Sequence, residues 1–374
     1  MIYLDNNAST PLDPEVIEEI CSALRFYGNP SSSHKTGQHA RSLIEKARKK
    51  VADVVNASEE EIVFTSGGTE SNNLSILGTA FLRGKGHIIT SVIEHPSVIN
   101  PCRFLQEKGF SVSYVGVKRD GTINLEELKR AIREDTILIS IMHANNETGI
   151  IQPIKEIGLI AREKGITFHT DAAQTVGKIP VDVEKLNVDL LTIVSHKFHG
   201  PKGIGALYIK KGLRIQPILF GAGHERGLRP GTENLPGIAD IGKACELAKE
   251  YVKKRASYLK GLTETLYREL KDLIPDVSLN GDPELRLPNT LNLCLKGIPS
   301  TDLVNILSDS VAISTGSACH AGVKRPSSVL LAMGLTEEEA LSSIRISLGK
   351  DNTEEEVKEA AALIAKAAQG LKGL

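Results

Sequence analysis

Ser195-His196-Lys197-Phe198-His199-Gly200-Pro201-Lys202-Gly203 follows the apolar run 190–194, which places Lys197 just past a buried strand and ahead of a glycine-rich turn. A partly desolvated lysine there has the chemistry of a Schiff-base nucleophile, although most lysines are solvated surface residues. His196 and His199 have a metal-compatible spacing, but no carboxylate or cysteine nearby completes a ligand set, so no metal is expected. Upstream, Ser66-Gly67-Gly68-Thr69-Glu70 lies between a β-rich run at 61–65 and a helical pattern at 72–81. Glycines at such a turn let backbone N–H groups approach an anion at a helix N-terminus, with the Thr69 hydroxyl at the cap position. A plain N-cap turn would look the same. The run is neither a Walker A loop nor GxGxxG, so nucleotide binding is not indicated.

His169-Thr170-Asp171-Ala172-Ala173-Gln174 puts Asp171 where a strand ends, the edge from which open α/β sheets bind ligands. A carboxylate there can pair with a protonated ring nitrogen, and Gln174 can reach a neighbouring oxygen. An ordinary Asp N-cap is the plain alternative. Each run alone is weak. Taken together, an anion cradle, a ring-nitrogen partner and an amine nucleophile are the three attachments that pyridoxal phosphate requires.

A fourth run, residues 314–326, sets Cys319 among small residues between Gly316 and Gly322, with His320, Lys324 and Arg325 able to favour its thiolate. Such a loop is expected to move, so the thiol could enter a site and leave it. The alternative is a small buried cysteine in a turn. Cys21, Cys102, Cys245 and Cys294 lie in apolar periodic segments and are expected in the core. Five scattered cysteines without a CxxC fit neither a disulfide framework nor a thiolate zinc site.

The elements that must position these runs are legible as alternation. Strand-like segments at 61–65, 87–91, 111–115, 136–142, 166–170, 189–194 and 205–209 are separated by amphipathic stretches such as 153–164. This pattern predicts an α/β fold with a large, mainly parallel sheet covered by helices. A long helix at 238–274 reads as a hinge between domains. Beyond it, strands at 277–279, 290–295, 311–314 and 343–348 and a helix at 353–368 predict a smaller α+β domain.

Composition narrows the class. The 374 residues carry 45 Lys+Arg against 46 Asp+Glu, a balance that argues against a nucleic-acid or polybasic membrane surface. Aromatics are 4% and Trp is absent, which disfavours a base-stacking platform. No run approaches a membrane span and the N-terminus lacks a signal-peptide pattern, so a cytoplasmic protein with reduced thiols is expected.

Asp5-Asn6-Asn7-Ala8-Ser9-Thr10-Pro11, Gly28-Asn29-Pro30-Ser31-Ser32, the run 65–73, Asn145-Asn146-Glu147-Thr148-Gly149, the run 195–205, Gly223-His224-Glu225-Arg226 and Ser343-Ile344-Arg345 resemble the class V aminotransferase-like enzymes. Within them the chain is similar to cysteine desulfurases of the NifS/IscS type and to selenocysteine lyases. The resemblance spans essentially the whole chain. It implies a fold-type I pyridoxal 5'-phosphate homodimer, with residues 12–255 as the large cofactor domain and residues 1–11 and 256–374 as the small domain.

The resemblance also implies roles. Lys197 would carry the Schiff base, and His95 would stack on the ring and serve in proton transfer. Asp171 would hold the ring nitrogen and Gln174 the ring hydroxyl oxygen. Gly68, Thr69 and His196 would bind the phosphate, with Thr232 joining from the partner subunit. Asn146 and Arg345 would hold the substrate carboxylate, and Cys319 would accept sulfur. The implied reaction turns L-cysteine into L-alanine, leaving a persulfide for an acceptor protein such as an iron–sulfur scaffold.

Two departures stand out: Val194 replaces a serine common in desulfurases, and Ala318-Cys319-His320 is lyase-like. Selenocysteine lyase, which would release selenium and alanine, is therefore the second expectation. A non-catalytic scaffold of the same fold is the third, disfavoured by the intact set of catalytic residues.

Overall fold

The computed structural model describes residues 1–315 and 325–372. Its strands are β1 (Ile2–Tyr3), β2 (Ile62–Thr65), β3 (His87–Ser91), β4 (Ser111–Val115), β5 (Thr136–Ser140), β6 (Thr167–Asp171), β7 (Leu190–Val194), β8 (Gly205–Ile209), β9 (Val277–Leu279), β10 (Thr290–Leu295), β11 (Val311–Ala312) and β12 (Ser343–Ser347). A seven-stranded sheet runs β2-β8-β7-β6-β5-β3-β4. Strands β3 to β7 pair in parallel, and β8 runs antiparallel to both β7 and the edge strand β2.

Parallel strands need long crossovers, and here helices such as Gly68–Arg83, Pro96–Glu107 and Ile154–Lys164 supply them. Helices on both faces explain why β2, β3, β6, β7 and β8 are buried at every position instead of alternating between buried and exposed. The alternation predicted from sequence is present, with several ends moved. The strand expected at 136–142 stops at Ser140, and the one expected at 311–314 keeps only two residues. The helix expected from residue 72 begins at Gly68.

A second, antiparallel sheet runs β12-β10-β9, and β1 pairs with β11 beside it. The helix Leu235–Leu273 joins the two cores. Its first half sends Ile238, Ile241, Ala244 and Leu247 into the core against the large sheet. Its second half sends Leu259, Leu262, Leu266 and Leu270 into the small-sheet core, with Leu293, Ile346 and Ile364. Each such leucine or isoleucine contributes about 1.5–3 kcal/mol on burial, so both halves are strongly anchored.

Cys102, Cys245 and Cys294 are buried as expected, but Cys21 is exposed. The helix Pro14–Ala23 buries Val16 and Ala23 with Ile20 half-buried between them, and Cys21 falls on the neighbouring row with exposed Ile17. One apolar helix carried two rows of apolar residues, and only one row found a partner. Cys319 lies outside the described residues.

Candidate active site

Strands β3, β5, β6 and β7 end on one edge of the large sheet, and β2 runs the same way across β8. Their following loops therefore converge, and with β12 they enclose a cavity of about 490 Å³. Gly68, Thr69, His95, Asn146, Asp171, Gln174, His196, Lys197 and Arg345 all line it. A more open cleft of about 740 Å³ lies beside Arg48 and Glu225 and holds none of these residues.

Lys197 follows β7 in a tight turn, and its Nζ donates to the main-chain carbonyls of Asn7 (2.7 Å) and Ala8 (2.8 Å). Burial, then the nearby Arg345 guanidinium, push its amine down to about 8, against the opposing pull of Asp171 and Asp5. This brings an amine that is ordinarily charged close to the neutral, nucleophilic form. His196 is held neutral at about 4 by burial and by Lys197, Lys202 and Lys178, and its Nδ1 lies 3.3 Å from Ser9 Oγ.

Asp171 is the last residue of β6. Its Oδ1 accepts from Ala173 N–H (2.9 Å) and its Oδ2 from Asn72 Nδ2 (2.7 Å), so the carboxylate is aimed from both sides. Gln174 Nε2 donates to Asn7 O (3.0 Å), and Gln174 Oε1 accepts from Lys178 Nζ at 2.6 Å. Lys178 also donates to Asn7 Oδ1 (2.7 Å). Burial, reinforced by Lys197 and Arg345, holds the Lys178 amine well below its ordinary value.

His95 caps the helix Pro96–Glu107, its Nδ1 accepting from Ser97 N–H at 3.1 Å. Burial lowers its imidazole's affinity for a proton, as does Lys197, while Asp171 opposes. Gly67 caps the helix Gly68–Arg83 with φ 147°, a conformation that favours glycine. A Cβ on Gly68 would meet Val194 Cγ2 at 2.7 Å, so the turn packs on the strand end only without a side chain. Thr69 is therefore the second helical residue rather than the cap.

Arg345, on β12, reaches in from the small sheet. It pairs with Asp5 and donates from Nη1 to Asn146 O (3.1 Å). Its buried Nε has no partner among the described residues. Thr232 is exposed and does not line this cavity.

Three residues at this site had no assigned role in the sequence: Asn7, Asn72 and Lys178. Asn7 ties the site together, accepting from Lys197, Gln174 and Lys178 while donating to Thr290 Oγ1 (2.9 Å). Asn72 follows Gly68 by four residues, one helical turn, and that spacing was the available signal for it; Lys178 reaches Gln174 from a series of turns and had none.

The aminotransferase class-V family matches residues 2–359. A cysteine desulfurase IscS from Dictyoglomus turgidum is 49% identical over 360 residues, covering 95% of this chain and 91% of that protein. A solved NifS-like protein superposes with a TM-score of 0.92 at 42% identity, covering 100% of both chains. The solved structure described as SspA in complex with cysteine has a TM-score of 0.84 at 39% identity, covering 94% of this chain and 100% of that one.

Proposed function

The chain belongs to the aminotransferase class-V family and is a cysteine desulfurase, and from that premise we propose that it binds pyridoxal 5'-phosphate in the 490 Å³ cavity and takes sulfur onto Cys319. The observation that carries the reading is Lys197: an amine brought to about 8, held by two carbonyls at a strand end, in one cavity with Asp171.

The cavity fits the cofactor by its donor set. Lys197 and Arg345 line the cavity beside Asp171, and the Arg345 Nε, without a partner among the described residues, is a buried donor awaiting an acceptor. The cofactor, when bound, supplies an electron sink for charge developing at the substrate Cα. Lys197 holds it covalently and, when released, moves the Cα proton. Asp171 keeps the ring nitrogen charged and His95 covers the ring face.

Gly68, Thr69 and His196 hold the phosphate, with Thr232 of a second copy completing it in a homodimer. Val194 leaves that end one hydroxyl poorer. Arg345 and Asn146 hold the substrate carboxylate.

The Cys319 thiolate then attacks the substrate sulfur. An S–S bond forms, the C–S bond breaks with its electron pair left on the carbon skeleton, and protonation there yields alanine. The persulfide passes to an acceptor such as an iron–sulfur scaffold protein in the cytoplasm. In this reading residues 12–255 carry the cofactor and residues 1–11 with 256–374 carry Arg345 and Cys319. No helix among the described residues is long and apolar enough to cross a membrane.

Alanine formed from L-cysteine and from L-selenocysteine tests the proposal. The wild type is expected to be yellow and active on cysteine, Lys197→Ala inactive, and Cys319→Ala yellow but unable to release sulfur. A colourless wild type defeats the cofactor assignment. Full cysteine activity in Cys319→Ala defeats the persulfide step.

A further inference from the structure

Behind Asp171 and His95 lies a buried chain of polar side chains that the reaction above does not use. Ser140 Oγ is 2.8 Å from His169 Nδ1, and His169 Nε2 is 3.1 Å from Thr192 Oγ1. Thr192 Oγ1 donates to Asn72 Oδ1 (2.7 Å). Asn72 Nδ2 gives one N–H to Asp171 Oδ2 (2.7 Å) and the other to Ser97 Oγ (2.8 Å). Ser97 Oγ lies 2.8 Å from His95 Nδ1.

The direction of every bond follows from two fixed ends. The Asp171 carboxylate accepts, so Asn72 turns its NH₂ toward it and its carbonyl toward Thr192. The Thr192 hydroxyl proton is then spent on Asn72, and Thr192 must accept from His169 Nε2–H. His169 Nδ1 accepts in turn from Ser140. His169 is fully buried, and that burial keeps it neutral, at about 4, as this pattern requires.

At the other end, the backbone N–H of Ser97 points at His95 Nδ1 and cannot be reversed. Because that N–H makes Nδ1 an acceptor, the Ser97 hydroxyl, which accepts from Asn72, also turns its proton to Nδ1. Two donors at Nδ1 leave the proton of a neutral imidazole on Nε2.

We propose that Asn72 is a positioning residue, the branch point that aims the Asp171 carboxylate and orients the Ser97 hydroxyl, whose proton joins the Ser97 backbone N–H in holding His95 as the neutral Nε2–H tautomer. His95 then presents a hydrogen-bond donor to the cavity and takes up no proton at Nδ1, which leaves proton carriage at the substrate to Lys197. This deepens the cofactor reading given above and rests on it for what His95 faces. The charged groups facing His95 are Asp171 and Lys197, of opposite sign, so neither alone dictates its protonation.

Neutron diffraction from deuterium-exchanged crystals of the holoenzyme, on both sides of the ordinary histidine midpoint of about 6.5, reads the proposal without an activity assay. Wild type is expected to show a deuteron on His95 Nε2 and none on Nδ1 at both pH values. Asn72→Leu removes the N–H groups that Asp171 Oδ2 and Ser97 Oγ accept, so the carboxylate is expected to turn and the Ser97 hydroxyl deuteron to leave Nδ1, while the Ser97 backbone N–H still keeps Nδ1 free of its own deuteron. Ser97→Ala should leave Asp171 and the tautomer as in wild type, and Ser97→Thr should again show a hydroxyl deuteron facing Nδ1.

A deuteron on Nδ1 in the wild type at either pH overturns the tautomer. Asn72→Leu indistinguishable from wild type overturns the role of Asn72. A wild type without the absorption of a bound pyridoxal group instead defeats the cofactor reading, and the deuteron positions are still read independently.

Discussion

Arg48 and Lys197 are both cations folded into the interior, and they are treated in opposite ways. Arg48 meets Glu225 in a two-pronged pair at 2.8 Å for each prong, and Phe64 N–H donates to the same carboxylate at 2.8 Å. Its guanidinium also lies 4.8 Å from the Phe64 ring centre. The pair fastens the helix Lys35–Val54, strand β2 and the loop at 223–227, where Glu225 and Arg226 adopt φ of 45° and 57°. The Arg48 charge is answered there by Glu225.

Around Lys197 the balance is different: Lys178 donates to the amide oxygens of Asn7 and Gln174, and Arg345, though paired with Asp5, keeps an Nε with no partner among the described residues. A closed pair serves structure. An open donor serves an anionic ligand, because a buried donor left without an acceptor costs about 1–3 kcal/mol that a ligand relieves.

The sharpest way to break this comparison is to remove the cation with the spare donor. Arg345→Gln is expected to lower kcat/KM for L-cysteine about 100- to 1000-fold, mostly through KM, and to cost some stability because its pair with Asp5 is lost. A purely structural Arg345 would show the loss of stability without the rise in KM. Removing the closed cation, Arg48→Met, leaves Glu225 buried and unpaired, and should cost about 3–5 kcal/mol in denaturant unfolding. Near-normal activity is expected from whatever remains folded. An unfolding midpoint equal to wild type would show that the pair is not structural.

A smaller effect concerns pH. Lys197 is lowered from 10.5 to about 8, so capture of pyridoxal phosphate by the apoenzyme should rise about tenfold per pH unit up to about 8 and then level. The same shift makes the apoenzyme gain stability as pH rises from about 8 toward 10.5, since the unfolded lysine holds its proton longer. Arg345→Gln removes the second-largest cause of the shift and should move the capture midpoint upward. A midpoint that stays near 8 in that variant would assign the shift to burial alone.

Much of the frame was readable before any coordinates. Strands β3, β4 and β8 were expected with the ends they have, because short β-rich runs with Gly86, Gly116 and Lys210 at one border leave little room for other ends. Helix ends were read less well. Gly68 looked like a loop residue because glycine is a poor helix former, yet the close approach to Val194 demands it inside the first turn. Cys21 was misjudged because a local apolar pattern does not say which of two rows will meet a partner.

What the sequence determined by itself is chemistry tied to local order: a lysine past a strand, an aspartate at a strand end and a glycine turn before a helix. These depend on neighbours within a few residues. Only the tertiary structure decided how they act. The Asn7 carbonyl that holds Lys197 is 190 residues away in the chain, and Arg345 meets Asp5 across 340 residues. The amine's shift, the direction of the Asn72 chain and the bare Arg345 donor all arise from burial and long-range hydrogen bonds. Those are properties of the packed interior, where low polarity makes every unmatched group costly and every matched one directional.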